Sequence, residues 1–186
     1  MKRVVIADPV LNSPFQEPTR HFKFDQGGIT EEIVEARRPS SYFIPVDSRR
    51  RKEKESQLTF LDEWSSDRIR ENDFINRLRQ RVGMWRKGGY QYVTTTTRKL
   101  LDYWTNPDRE KKLFFCQLEA VETVIYLTEV AHKVGDNWVE NELKQRSQDH
   151  NPGIFRMALK MATGSGKTVV MAMLIAYHAF KLREKE

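Results

Sequence analysis

The sequence has little cysteine, no long apolar run at its start and no internal repeat, and these absences exclude whole classes of protein. Its 186 residues include one cysteine, Cys116, so no internal disulfide can form and we expect a fold that holds in a reducing compartment. The opening eight residues contain an apolar run of about four, which is shorter than the core of a secretory signal. We therefore expect a cytoplasmic protein without a membrane partner.

Patterns for protein-bound metals and nucleophilic catalysis are also missing. The four histidines, at positions 21, 132, 150 and 178, show no His-Glu-x-x-His spacing, and no second cysteine is present. Pro107-Asp108 followed by Glu110 and Lys112 superficially resembles a nuclease core. Such sites join carboxylates from separate strands, so we interpret this segment as a solvated turn.

Charge and apolar residues are both plentiful. Lysine and arginine number 32 against 26 aspartates and glutamates, which gives a net charge of +6, and 39% of the residues are hydrophobic. This balance indicates a globular chain with one ordinary core or two small ones. The positive excess allows a polyanionic partner such as nucleic acid but does not require one.

The chain changes character along its length, which predicts an organisation in regions. Residues 1–48 hold five prolines among strand-like runs at 29–35 and 42–46, typical of an extended N-terminal segment. Residues 49–66 open on a run of charges without apolar side chains, typical of a solvated linker. Residues 67–108 form a helical accessory region, and residues 109–186 form the last region.

Helical periodicity marks the accessory region. Phe74, Leu78, Val82 and Trp85 share one stripe, and Gly88-Gly89 supplies a stop. The remaining faces carry cations, namely Arg77, Arg79, Arg81, Arg86 and Lys87. We interpret them as a solvated face. A grip on a phosphate backbone beside exposed aromatic residues is the open alternative.

A second helix is predicted to open at Leu113–Leu127, with Gln117 near its start. Its amide offers one acceptor and two donors, which match the N6 amino group and N7 of adenine. An isolated glutamine at this position is more often a capping or surface residue. The adenine interpretation therefore depends on a motif about fifty residues later.

That motif is a predicted strand, loop and helix near the C-terminal end. Residues 155–161 are short and apolar, as in a buried strand; residues 162–166 form a turn; and a helix follows from Lys167. In such a unit the main-chain N–H groups of the loop converge where the helix dipole favours anions. The sequence therefore predicts a polyphosphate site.

The loop residues have distinct predicted roles. Gly164 and Gly166 let the main chain curl around a phosphate, and Thr163 and Ser165 supply further N–H groups. Lys167 is placed to reach the β- and γ-phosphate oxygens, and the Thr168 hydroxyl can bind Mg²⁺. The strict Gly-x-x-x-x-Gly-Lys-Thr pattern is not met, because Met161 stands where the first glycine is expected.

The stretch MATGSGKT, residues 161–168, resembles motif I of superfamily 2 helicases, and FFCQLEAVETVIYLTEVA, residues 114–131, resembles their glutamine-containing motif. Together with EARRPSSYFIPV and FINRLRQRVGMWRKGGY upstream, the sequence is similar to the N-terminal region of DEAD/DEAH-box proteins related to the Res subunit of type III restriction enzymes. Residues 111–186 carry the sharper resemblance.

This resemblance implies an α/β fold, the N-terminal part of a RecA-like P-loop NTPase domain that follows the extended and helical accessory region. It implies ATP and Mg²⁺ as cofactors, with Gln117 on adenine, Thr163–Gly166 on the phosphates, Lys167 stabilising the transferring phosphoryl group and Thr168 on the metal ion. It also implies a DNA-dependent motor on double-stranded DNA, with a modification or specificity subunit as a further partner.

Hydrolysis requires an acidic pair at the end of an apolar strand, and the sequence contains no apolar strand that ends in Asp-Glu. We therefore expect a fragment truncated after motif I, inactive as an ATPase by itself. Residues 169–180 are apolar almost all round, which predicts a helix buried on several sides and an isolated chain that is poorly soluble or dimeric. A non-catalytic fragment that binds a nucleotide, or that docks onto DNA or a partner, stays open as an alternative. A P-loop kinase is less favoured because of Gln117 and the long segment before the loop.

Overall fold

A computed structural model describes residues 6–25, 28–43, 69–150 and 152–183, so the predicted charged linker lies outside the described residues. The chain divides into two compact units, one up to Asn76 and one from Arg77. Helices and small sheets are both present, in agreement with the predicted mixture of helix and strand. The four predicted region boundaries stay predictions.

The first unit contains two small antiparallel sheets. The strands are β1 at His21–Asp25, β2 at Gly28–Val34, β3 at Ser41–Phe43 and β4 at Ile69–Glu71. β1 pairs with β2, and β3 pairs with β4 so that Ser41 lies opposite Glu71. The predicted strand-like runs thus fall on β2 and, as far as the structure describes it, on β3.

The second unit is built from helices. These are α1 at Asp73–Lys87, which contains the boundary, α2 at Thr95–Thr105, α3 at Phe115–Ile125, a π-helical turn at Tyr126–Val130, α4 at Asn137–His150 and α5 at Lys167–Arg183. Among the described residues, no helix combines the length and the apolar character that crossing a membrane requires.

Apolar stripes at helical spacing form the core of these helices. All four residues of the predicted α1 stripe are buried, as are Val121 and Val124 of α3. α1 ends as the Gly88-Gly89 pair predicts: Gly89 adopts φ 77°, and the N–H of Tyr90 donates to the carbonyl of Trp85 at 3.1 Å. The sequence therefore predicted the positions of α1 and α3.

The predicted buried strand over residues 155–161 is wrong. These residues form no strand, and the side chains of Phe155, Met157 and Leu159 are exposed. A strand persists only where a neighbour completes its hydrogen-bond ladder, and both sheets of the described residues lie in the first unit. An apolar run predicts where a strand fits but does not supply its partner.

The helix predicted after the loop is confirmed as α5, and within the described residues one of its faces is buried. Val170, Met173 and Tyr177 form one buried face, whereas Met171 is 61% and Ile175 67% exposed. Spacings of three and four residues place the three buried side chains on one stripe. α5 is therefore a half-covered helix with an apolar outer face.

Candidate nucleotide-binding site

The glycine loop is closed around one carbonyl oxygen, that of Ala162. It accepts hydrogen bonds from the N–H of Ser165 at 3.4 Å, the hydroxyl of Ser165 at 2.7 Å and the ammonium of Lys167 at 3.0 Å. Gly164 and Gly166 adopt φ 78° and 79°, a left-handed conformation that favours glycine. The two glycines predicted to shape the loop are thus the residues whose backbone requires it.

Main-chain donors are concentrated at the start of α5. In residues 152–183, no carbonyl accepts the N–H groups of Gly164, Gly166, Lys167 or Thr168, as expected for a loop that enters a helix. Both Lys167 and Thr168 are exposed. The partial positive charge of the helix N-terminus adds to these donors, so the arrangement has the chemistry of an anion site.

Gln117 contacts this loop from the third residue of α3. Its Oε1 accepts from the N–H of Phe114 at 3.0 Å, and its Nε2 donates to the carbonyl of Ser165 at 3.0 Å. The side chain is buried. A Cβ added to Gly166 would lie 2.2 Å from this Nε2. Two separate motifs predicted Gln117 and the loop, and the structure brings them into contact.

The pairing leaves part of the amide available. An amide has two donor hydrogens and two acceptor lone pairs, and each bond above uses one. The neighbouring Cys116 is exposed, and its sulfur lies 4.0 Å from the same Ser165 carbonyl oxygen. The carbonyl of Ser165 therefore faces α3 and is engaged by Gln117.

The far end of α5 is held by a buried carboxylate that sequence analysis missed, Glu129 in the π-helical turn. Its Oε1 accepts from the Tyr177 hydroxyl and the Lys181 ammonium, both at 2.9 Å, and from the Thr97 hydroxyl at 2.5 Å. The N–H of Thr94 donates to its Oε2 at 3.0 Å. These contacts fix the helix that begins at the loop.

Burial by itself would raise the pKa of Glu129, but hydrogen bonds from Thr97, Lys181, Thr94 and Tyr177 outweigh it and lower that pKa. The carboxylate is therefore ionised in the folded chain. A glutamate is usually a surface residue. The apolar residues Leu127, Val130 and Ala131 beside it in the sequence were the signal that could have indicated its burial.

The interpretation of Arg86 as part of a solvated face is wrong. Its Nε and Nη2 lie 2.8 and 2.6 Å from Oε2 of Glu122, a carboxylate that is 1% exposed. The Tyr90 hydroxyl donates to the other oxygen at 2.6 Å. Burial, followed by the charge of Glu122, raises the pKa of Tyr90. A buried carboxylate requires such partners. Arg86 therefore pairs with Glu122 instead of facing the solvent.

Residues 110–186 match the family described as type III restriction enzyme, res subunit. No curated protein and no solved structure shows a significant match to the chain. The matched segment contains both Gln117 and the glycine loop, which confirms the resemblance predicted from the sequence. Over residues 110–186, the chain is therefore similar to the res subunit of type III restriction enzymes.

Proposed function

We propose that this chain holds the ATP-binding start of a DNA-dependent ATPase of the Res type, in which ATP hydrolysis drives movement along DNA. One observation carries the proposal: the N–H groups of Gly164, Gly166, Lys167 and Thr168 are unpaired within the described part of the loop and α5. Converging main-chain donors at a helix start are the feature that triphosphate sites use.

The residues present fit a nucleoside triphosphate with Mg²⁺. A Cβ on Gly164 would meet nothing within 4 Å, so the space beside this residue is open. The Lys167 ammonium bonds a neutral carbonyl in an exposed position, and a phosphate oxygen offers it a stronger, charge-assisted bond. Thr168 is the proposed ligand of Mg²⁺, which in such sites neutralises charge on the phosphates.

We assign adenine recognition to Gln117. Its remaining Nε2 hydrogen and Oε1 lone pair are the groups that adenine requires. Because the same amide holds the Ser165 carbonyl, base recognition and loop geometry depend on one side chain. Replacing Gln117 should therefore weaken binding of ATP more than binding of inorganic triphosphate.

A second candidate is a non-catalytic nucleotide-binding fragment. It differs from the first candidate in that it would lack an acidic pair at the end of an apolar strand. Carboxylates of that kind hold Mg²⁺ and orient the attacking water. Both candidates bind ATP through the loop, and ATP turnover distinguishes them.

The test is the binding of a fluorescent ATP analogue to the chain with Lys167→Ala. Loss of a charge-assisted bond of about 1.5–3 kcal/mol should weaken binding by about 10- to 150-fold. Lys160→Ala is the matched control, since Lys160 is an exposed lysine just before the loop. We expect no ATP turnover from this chain. Equal affinity for wild type and Lys167→Ala would refute the site, and robust turnover would refute the expected inactivity.

A further inference from the structure

The connection between α1 and α2 contains two tyrosines in the left-handed region. Tyr90 has φ 55° and Tyr92 has φ 67°, after Gly89 at 77°. Positive φ costs free energy for any residue with a Cβ, and bulky residues rarely adopt it. Such strain persists only where the surroundings impose it, and it is concentrated at functional positions.

The surroundings impose it here through side-chain donors on four successive carbonyls. The pairs are Arg98 Nη1 to Gly89 at 2.6 Å, Arg98 Nη2 to Tyr90, Trp85 Nε1 to Gln91 at 2.8 Å, and Lys133 Nζ to Tyr92 at 2.7 Å. Two helices and the turn that follows the π-helical segment thus hold this short connection. Its backbone is rigid, so its side chains project from fixed positions.

The side chain of Tyr90 makes contacts that explain its strained backbone, and the side chain of Tyr92 makes none of this kind. The Tyr90 hydroxyl bonds the buried Glu122, and its ring lies edge-on to Trp85 at 5.0 Å between centroids. Tyr92 is 57% exposed. Within residues 69–150, its side chain makes no hydrogen bond, ring stacking or cation–π contact.

We propose that Tyr92 is a stacking platform for an unpaired base of single-stranded nucleic acid. A fixed, exposed aromatic ring gains stacking energy without first being ordered, and every base presents a π-face. Arg98 and Lys133 place two positive charges beside the same connection, and these charges favour a polyanion such as nucleic acid over a neutral or cationic partner. The proposal rests on the proposed function and names a residue that would contact its DNA partner.

The test measures binding of a fluorescein-labelled oligothymidine to the whole chain without nucleotide. Tyr92→Phe should bind as wild type does, whereas Tyr92→Ala and Tyr92→Gly should bind about 5- to 150-fold more weakly. The salt dependence of affinity should not change, because no phosphate contact is removed. Tyr42→Ala is the matched control, since Tyr42 is another exposed tyrosine, outside this connection.

Tyr92→Gly also tests the strain. Glycine accepts φ 67° freely, so this variant should melt about 2–4 °C higher for each kcal/mol of strain relieved while it binds the oligonucleotide more weakly. Wild-type affinity in Tyr92→Gly, or binding of a protein partner instead of the oligonucleotide, would overturn the proposal. ATP binding measured on the same variants separates the two proposals: it should be unchanged, and its absence in wild type would refute the nucleotide site alone.

Discussion

The contact between Gln117 and the glycine loop predicts different outcomes for two glycines with the same backbone conformation. Gly164 and Gly166 have φ 78° and 79°, so Gly→Ala strains both positions equally. Only at Gly166 would the new Cβ meet a side chain, the Gln117 amide nitrogen at 2.2 Å. Gly164→Ala is therefore a matched control that isolates the effect of the contact.

The backbone penalty for alanine in the left-handed region is roughly 1–2 kcal/mol at either position. At Gly166, the amide of Gln117 must also move, because the end of a flexible side chain yields before the backbone does. It then loses its bonds to Phe114 and Ser165, each worth about 1 kcal/mol. We expect Gly166→Ala to cost about 2 kcal/mol more than Gly164→Ala.

Denaturant unfolding of both variants, each with and without Gln117→Ala, measures this difference. In the Gln117→Ala background the two glycine substitutions should cost the same free energy of unfolding, since the obstructing amide is gone. In the wild-type background they should differ, and the melting temperatures should differ by about 4–8 °C. Equal costs in both backgrounds would refute the inference that Gln117 holds this loop.

Two further predictions concern the part of α5 that lies beyond the loop. Because the pKa of Glu129 is lowered from its ordinary value of 4.5, the stability it contributes is complete above pH 4.5 and is lost as pH falls through the lower folded-state pKa. Glu129→Gln should lower the free energy of unfolding by about 2 kcal/mol at pH 7 and should reduce the loss of stability in acid. Denaturant unfolding measures both effects, and Glu140→Gln, which removes an exposed pair with Lys144, is the control. An unchanged loss of stability in acid for Glu129→Gln would contradict the assignment. Ile175 is 67% exposed on α5, so light scattering should show that the chain associates as its concentration rises. Ile175→Lys should reduce this association, whereas Val10→Lys, at an exposed valine of the other unit, should not. A monodisperse wild-type monomer at every concentration would contradict the prediction.

The helices were predictable where one local rule decides. Phe74, Leu78, Val82 and Trp85 repeat at helical spacing, and Gly89 accepts the positive φ that ends α1. The loop was predictable for the same reason, because Gly164 and Gly166 mark conformations that other residues avoid. These features need no knowledge of distant parts of the chain.

The ion pairs were not predictable, because they depend on residues far apart in sequence. Arg86 lies on a helix face that composition marks as solvated, yet it meets Glu122, 36 residues later. Glu129 likewise collects donors from both sides, including Tyr177, 48 residues later. Periodicity assigns a face to a residue, but the partner on that face is a property of the tertiary fold.

The orientation of the loop carbonyls connects these contacts to the proposed chemistry. A phosphate is attracted by N–H groups and repelled by carbonyl oxygens. At this loop the Ala162 carbonyl is bonded to Ser165 and Lys167, and the Ser165 carbonyl is bonded to Gln117. Gln117 thus helps to separate acceptors from the unpaired donors. If that separation is what prepares the loop for anions, Gln117→Ala should weaken even inorganic triphosphate to some degree, and ATP further, since ATP also loses its base contact.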